Sequence, residues 1–404
     1  MFSADSGLFK KIFNSIFINS SRFLGFMAVI SKVSDIIRQL YLSGNRTSIL
    51  LLGASGIGKT VGVAETARKI AEATNRRFII YSDDVADEIL SDPEKYFVLV
   101  DFSLVLVEPS DLIGIPRTID SGGNKSANVT YVPFRWLTVL EKCAGILFLD
   151  EVTNVSRPDV QSTMLKILLE HEVGFRFLNK DVIVVSAGNN ISDSSLAVAL
   201  PEPLLSGRVI KFSVDAPNTD EFLEYIKTKN GSFSGKGIAF LKKNQCLQRT
   251  EKKEENDNSV IVTPRSWEKL LEVLYPFEDV KDEVFIRELV TGLLGNTTIA
   301  SEFLTWWFTE VPDIKLLVDE PKLWSDLTMT QKYIASTQIL ALKNVPKQLM
   351  EYIYEHDREI LILLLSLANA EQEAKLYRYF YSSIPKIAQY LNEVAKASQE
   401  IRSK

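Results

Sequence analysis

Cysteine and histidine are nearly absent from this sequence. Its 404 residues include only two cysteines, Cys143 and Cys246, and two histidines, His171 and His356. So few ligands, so far apart in the chain, argue against a zinc site and against a disulfide framework. The low cysteine content suits a reducing compartment, so we expect an intracellular, cytoplasmic protein.

Long hydrophobic runs are also missing. The two best are FLGFMAVI, between Arg22 and Lys32, and ILILLLSLA, from Ile360 to Ala368. Both are too short to span a bilayer. No small-residue cleavage site follows a continuous apolar core near the N-terminus, so we expect no signal peptide.

An excess of positive charge is the third absence. The chain has 46 Lys and Arg against 52 Asp and Glu, a net charge of −6. This total argues against a broad nucleic-acid-binding surface, although a basic patch inside a ring or channel could exist within it. The composition is that of a soluble globular protein, and the length predicts two or three domains.

A glycine-rich turn follows an apolar run in the segment SILLLGASGIGKTVG, residues 48–62. The spacing G-x-x-x-x-G-K-T would surround a phosphate with backbone N–H groups, with Lys59 as a point charge and Thr60 as a Mg²⁺ ligand. The preceding run predicts a buried strand, and the following KTVGVAETARKIAEA predicts a helix whose positive end faces the phosphate. The predicted nucleotide-binding residues are Gly53, Ala54, Ser55, Gly56, Ile57, Gly58, Lys59, Thr60 and Val61.

Two later strands end in polar residues. In GILFLDE, Asp150 would hold Mg²⁺ through water and Glu151 would polarise the attacking water. In DVIVVSAGNN, Asn189 could position that water, with Asn190 as the adjacent competitor and an ordinary Gly/Asn turn as the alternative. Because open α/β sheets bind ligands at the carboxyl ends of their strands, we expect these side chains at one edge.

Two arginines stand out by their placement, Arg208 in LPEPLLSGRVIKF and Arg265 in VTPRSWEKL. A guanidinium stays charged and its planar fork matches phosphate oxygens. For each arginine, a surface salt bridge is the competing interpretation.

The order of segments predicts an α/β domain followed by helices. Five apolar runs between residues 48 and 213, separated by helical stretches, predict a five-stranded parallel sheet with helices on both faces. Residues 75–95 are a candidate edge hairpin, and the charged stretch 248–259 is predicted to be an exposed loop or hairpin. We predict N-terminal amphipathic helices at 1–42, a nucleotide-binding domain at 43–215, a helical lid at 216–295 and a C-terminal helical extension at 296–404.

The first predicted helix carries an apolar stripe flanked by basic residues. It consists of Leu8, Phe9, Ile12, Phe13, Ile16 and Phe17. Peripheral membrane contact through residues 1–30 is one hypothesis. Docking on the protein's own core or on a neighbouring subunit is the favoured one.

Five motifs in order resemble those of a known family. GASGIGKT, GILFLDE, VVSAGN, LPEPLLSGR and TPRSW resemble the Walker A, Walker B, sensor 1, arginine-finger and sensor 2 elements of AAA+ ATPases. LVEPSDLIGIPR, YVPFRWL and DVQSTMLKILLEHEVGF further resemble the MoxR-like, dynein-related branch. The resemblance covers about residues 45–275.

The resemblance implies a ring, usually a hexamer, with ATP and Mg²⁺ bound between neighbouring subunits. It implies phosphate and metal binding by Lys59, Thr60 and Asp150, with Glu151 as catalytic base and Asn189 as sensor 1. Arg208 would act in trans on the neighbour's ATP, and Arg265 would report the nucleotide state to the lid, in cis or in trans.

Two insertions also resemble the MoxR-like branch. Residues 117–132 resemble the hairpin inserted in helix 2, and EVGFRFLNKDV resembles the hairpin before sensor 1. In such rings these hairpins line the pore or face the substrate, so Lys125 is expected to touch the client. One departure is Gly207, an extra residue before Arg208, which would shift the angle of the finger.

The expected function is an ATP-hydrolysing AAA+ motor of MoxR-like type, a chaperone that remodels a protein partner or assembly. The resemblance also allows a client with a von Willebrand factor A domain. One alternative is a nucleic-acid-dependent motor, helicase-like or restriction-motor-like, which the acidic charge disfavours. The other is a nucleotide-gated scaffold with little turnover.

Overall fold

The computed structural model describes residues 28–119, 128–190, 198, 201–229, 231–247, 249–251, 260–295 and 297–403. The chain divides into one compact unit spanning Phe26–Pro217 and another that contains Asn218–Lys404. Within the described residues, the first unit is α/β and the second is helical apart from one short strand pair.

A seven-stranded parallel sheet forms the centre of the first unit. The strands in the described residues of both units are β1 (Ala28–Val29), β2 (Ile49–Leu52), β3 (Arg77–Ile80), β4 (Tyr96–Ser103), β5 (Ile115–Ile119), β6 (Asn128–Val132), β7 (Ala144–Asp150), β8 (Glu172–Val173), β9 (Arg176–Phe177), β10 (Val182–Gly188), β11 (Ile210–Asp215), β12 (Arg249–Glu251) and β13 (Val260–Val262). The order in the sheet is β1-β11-β2-β10-β7-β4-β3, and every neighbouring pair is parallel. This confirms the predicted fold class.

The strand number differs from the prediction, because the sheet has seven strands instead of five. The five predicted strands are β2, β4, β7, β10 and β11, and the two others lie at the edges. β3 pairs in parallel with β4, and a single 3₁₀ turn and a short helix follow it, so the predicted edge hairpin at residues 75–95 is wrong. Both edge strands are short, with two and four residues, and each pairs with one neighbouring strand.

Helices cover both faces of this sheet. They are Ile30–Leu42, Lys59–Ala73, Ala86–Ser91, Pro109–Ile113, Arg135–Lys142, Pro158–Glu170 and Glu202–Leu205. One buried cluster joins the first two helices to the sheet through residues such as Ile37 and Ala67. The other joins the helices Arg135–Lys142 and Pro158–Glu170 to the opposite face through residues such as Leu137 and Met164. The sheet is therefore buried on both sides, as its apolar strands require.

The described part of the predicted N-terminal helices is residues 28–42. The prediction is wrong at Ala28–Val29, which form β1 and are followed by the helix Ile30–Leu42. This helix buries Val33, Ile37 and Tyr41 against the helix Lys59–Ala73 and the sheet. The Ser34 hydroxyl also donates to the Gly62 carbonyl oxygen at 3.1 Å. This part of the segment docks on the protein's own core, and the apolar stripe at residues 8–17 lies outside the described residues.

Two hairpins project from the first unit where the sequence predicts them. β5 and β6 pair antiparallel with Arg117 opposite Thr130, and β8 and β9 pair with Glu172 opposite Phe177. The turn that contains Lys125 lies outside the described residues, so its contact with a client stays a prediction.

The second unit is built from helices around two buried clusters. The helices are Thr219–Thr228, Gly235–Asn244, Pro264–Leu274, Glu283–Leu294, Thr298–Trp307, Ile314–Asp319, Met329–Ala341, Lys347–His356, Glu359–Leu367, Ala370–Ser383 and Pro385–Ser403. The first cluster centres on Phe240, Trp267 and Phe303, and the second on Trp324 and Phe380. The division of this unit at residue 295 stays a prediction.

The charged stretch at residues 248–259 includes β12, which pairs antiparallel with β13, with Arg249 opposite Val262. This pairing matches the hairpin alternative, although residues 252–259 lie outside the described part of the chain. Among the described helices, none has both the length and the apolar character needed to cross a bilayer.

Candidate functional site

The glycine-rich loop connects β2 to the helix Lys59–Ala73. Gly56 and Gly58 have φ angles of 75° and 95°, which favour glycine. At Gly53 a side chain has no room, because an added Cβ would lie 2.3 Å from the Val214 carbonyl oxygen. The glycines therefore serve two needs: left-handed backbone at residues 56 and 58, and close approach to β11 at residue 53.

Lys59 lies across this loop and is only 8% exposed. Its Nζ donates to the carbonyl oxygens of Gly53 and Ala54, both at 2.8 Å, and to Asn189 Oδ1 at 3.3 Å. The structure thus brings together the predicted lysine and the predicted polar residue at the end of β10.

Thr60 and Asp150, the two residues predicted to hold a metal, are in direct contact. The Thr60 hydroxyl donates to Asp150 Oδ2 at 2.9 Å, and the Glu151 N–H donates to Asp150 Oδ1 at 2.8 Å. Asp150 is the last residue of β7, and Thr60 is in the first turn of the helix that follows the loop. A hydroxyl and a carboxylate are ligands that suit Mg²⁺.

The donor set fits magnesium held together with a phosphate, and not a cage made by the protein alone. Within the described residues, no group of three or more His, Cys, Asp or Glu side chains could hold a metal. Mg²⁺ commonly keeps several waters and binds through one or two protein ligands plus substrate phosphates. Thr60 and Asp150 supply such a pair next to a helix N-terminus that favours anions.

Glu151 occupies an unusual backbone conformation, with φ 60° and ψ 31°. The Ser103 hydroxyl donates to its Oε2 at 2.6 Å. Ser103 ends β4 and is the register partner of Asp150 on β7, which explains why it can reach the next residue. The carboxylate is therefore held at the carboxyl edge of the sheet.

Ser103 and Asp101 were not predicted as site residues, although both lie at the end of a predicted strand. Asp101 is exposed to solvent, yet desolvation and, second, the negative charge of Asp150 raise its carboxyl pKa to about 6. The signal that could have found both residues is the polar end of the segment FVLVDFSL, which reaches the same edge as GILFLDE.

The remaining predicted loop residues differ in exposure. Ile57 is buried in the core, while Ser55 and Val61 are exposed. Asn190 follows Asn189, whose Oδ1 accepts from Lys59 Nζ. These residues can offer backbone groups to a phosphate, and Ile57 in addition anchors the loop.

Of the two predicted arginines, Arg208 lies away from this edge of the sheet and Arg265 belongs to the second unit. Arg208 is exposed and precedes β11, whose first residue, Ile210, pairs with Ile49 at the start of β2. Arg208 therefore lies at the amino-terminal edge of the sheet, whereas the loop follows the carboxyl end of β2. Arg265 is an exposed residue in the first turn of the helix Pro264–Leu274.

Comparison with known proteins finds only distant structural similarities, at low sequence identity. No protein-family model matches the chain, and no curated protein matches it. Among solved structures, NtrX from Brucella abortus in complex with ADP is similar at 14% identity, covering 93% of this chain and 72% of that chain, with a TM-score of 0.37. Cdc6p from Pyrobaculum aerophilum is similar at 16% identity, covering 86% and 90%, with a TM-score of 0.38. A mutant of RuvB from Thermotoga maritima is similar at 14% identity, covering 82% and 89%, with a TM-score of 0.31.

Proposed function

We propose that this chain is an ATP-hydrolysing motor of the AAA+ class, of MoxR-like type, which works as a chaperone on a protein partner. The observation that carries the proposal is the direct contact between Thr60 and Asp150 beside a buried Lys59. A lysine and a threonine at the start of a helix, facing a strand-end aspartate, suit a nucleotide phosphate with its Mg²⁺.

The residues at the carboxyl edge of the sheet would have separate roles in hydrolysis. Lys59 would exchange the loop carbonyl oxygens for phosphate oxygens, and Thr60 with Asp150 would hold Mg²⁺, which neutralises charge on the phosphates. Glu151, fixed by Ser103, would accept a proton from the attacking water. Asn189 would orient that water from the neighbouring strand.

Assembly into a ring would bring an arginine of one copy close to the glycine-rich loop of its neighbour. Arg208 lies at the opposite edge of the sheet from the loop, and a strand rises about 3.3 Å per residue. The four residues of β2 separate the two edges, so Arg208 is badly placed to reach its own loop. Its exposure leaves it free to approach the loop of a neighbouring copy, in the manner of an arginine finger in trans.

The two projecting hairpins are the proposed client-contacting surface. Phe175, in the turn between β8 and β9, is 82% exposed, and Phe177 is 66% exposed. The Phe175 ring lies 6.2 Å from the ring of Tyr131 on β6, so both hairpins contribute to one apolar area. Exposed aromatic side chains of this kind mark protein-binding surfaces.

The proposed function predicts turnover that depends on Thr60. We expect the wild-type chain to hydrolyse ATP in the presence of Mg²⁺, and Thr60→Val to lower this rate by about 10-fold or more because the hydroxyl ligand is lost. Thr60→Ser keeps the hydroxyl and serves as the matched control. Steady-state hydrolysis measured across a Mg²⁺ titration checks this, and a wild-type chain without turnover would reject the proposed function.

Phe175 is expected to matter for the client and not for basal hydrolysis. In a Glu151→Gln background, adding Phe175→Ser should remove the proteins that are captured only in the presence of ATP. Val284→Ser, which changes a 70% exposed apolar residue of the second unit, is the matched control. The measurement is ATP-dependent capture compared by mass spectrometry, and capture that is unchanged by Phe175→Ser would exclude this hairpin as the contact.

A further inference from the structure

Thr153 is a buried polar residue that the proposed mechanism does not use. It lies in the single 3₁₀ turn Val152–Asn154, directly after Glu151, and is 2% exposed. Its Oγ1 accepts a hydrogen bond from the Asn189 N–H at 2.8 Å. Its carbonyl oxygen accepts another from the Val198 N–H at 2.7 Å. One residue thus connects the end of β7 to the chain that follows β10.

The fit between Thr153 and β10 is close. A Cβ on Gly188 would lie 2.6 Å from Thr153 Cγ2 and 2.9 Å from its Oγ1, so only glycine leaves room for this side chain. The Gly188 carbonyl oxygen accepts from the Gly53 N–H at 3.2 Å. The last residue of β10 is therefore held between the glycine-rich loop on one side and Thr153 on the other.

The Asn189 N–H needs an acceptor at this point of the chain. The pairing of β10 with β2 ends at Gly188, opposite Leu52, so the strand ladder offers no partner to the next residue. A backbone N–H left without an acceptor costs free energy when it is shielded from water. The Thr153 hydroxyl supplies the acceptor, and it thereby fixes the backbone position from which the Asn189 side chain extends.

We propose that Thr153 is a positioning residue, whose hydroxyl fixes Asn189 relative to Glu151. This inference rests on the proposed function. Glu151 is held by Ser103 and Asn189 contacts Lys59, so Thr153 is the connection between the base and the residue that orients the water. If the connection is lost, the water and the base are misaligned, while the phosphate contacts of the loop remain.

Two substitutions in the full-length chain test this role. Thr153→Val keeps the shape that fits Gly188 and removes the hydroxyl, and Thr153→Ser keeps the hydroxyl. We expect Thr153→Val to lower kcat by about 10-fold without changing the affinity for a fluorescent ADP analogue. Thr153→Ser should stay close to the wild-type kcat.

Hydrogen exchange provides a readout that does not depend on hydrolysis. In the nucleotide-free chain, the amide of Asn189 should exchange faster in Thr153→Val than in the wild type or in Thr153→Ser, by more than the change in global stability of the variant accounts for. Mass spectrometry of the peptide that contains Asn189 measures this.

Three results would overturn the inference. The first is a wild-type kcat together with a wild-type exchange rate at Asn189 in Thr153→Val. The second is an equal loss of kcat in Thr153→Val and Thr153→Ser. The third is a loss of kcat that is accompanied by equal losses of nucleotide affinity and stability. A wild-type chain without turnover would instead reject the proposed function, and the exchange at Asn189 would then decide alone whether Thr153 fixes that residue.

Discussion

The Glu151→Gln variant is expected to bind ATP and to hydrolyse it at least about 100-fold more slowly than the wild type, because an amide cannot accept the proton of the attacking water. Binding should persist, since the contacts that suit the phosphate and the metal belong to Lys59, Thr60 and Asp150. The Ser103 hydroxyl can still donate to the amide oxygen of glutamine, so the local structure should be retained. Single-turnover hydrolysis and binding of a fluorescent ATP analogue measure the two properties separately.

The control for this prediction is Glu170→Gln, which makes the same chemical change at an exposed glutamate at the end of a helix. It should leave both binding and hydrolysis unchanged. If Glu151→Gln kept half of the wild-type rate, Glu151 would not be the base. If it lost ATP binding, the residue would have a structural role in the loop.

The sequence predicted the edge of the sheet where the candidate site lies. The apolar runs gave the five central strands, and the rule that parallel strands end at one edge placed Asp150, Glu151 and Asn189 together. The spacing of the glycine-rich loop added Lys59 and Thr60 to the same place. These features depend on local pattern and on strand direction, both of which can be read from one sequence.

The hydroxyl groups that hold these side chains could not be predicted in the same way. Ser103 reaches Glu151 because of the register between β4 and β7, and Thr153 reaches Asn189 because Gly188 has no side chain. Serine and threonine at such positions have no sequence signature, since the contact depends on packing between distant segments. The left-handed backbone of Glu151 is likewise a result of tertiary structure.

The edge strands were missed for a related physical reason. β1 has two residues, near the end of the apolar stretch FLGFMAVI in the segment predicted to be helical, and β3 has four. A strand at the edge needs only one neighbour and buries less of its surface, so its sequence carries a weaker pattern. The sequence therefore predicts the five central strands of the sheet and misses the two edge strands.

The position of Arg208 leads to the prediction with the largest effect. Arg208→Ala should lower hydrolysis by about 1000-fold, because an arginine finger stabilises charge on the phosphates in the transition state. ATP binding by each copy should be unchanged, since Arg208 lies at the amino-terminal edge of its own sheet, opposite the loop. Steady-state hydrolysis and nucleotide binding measure the two effects.

Mixing two inactive variants distinguishes action in trans from action in cis. A site formed by an Arg208→Ala chain, which keeps Glu151, and a Glu151→Gln neighbour, which keeps Arg208, contains both required groups. In an equal mixture about a quarter of the interfaces have this arrangement, so hydrolysis should return well above that of either variant alone. Mixing Arg208→Ala with the double variant Glu151→Gln/Arg208→Ala is the control, because no interface then has an arginine. Hydrolysis that fails to return after confirmed subunit exchange would show that Arg208 does not complete the site of a neighbour.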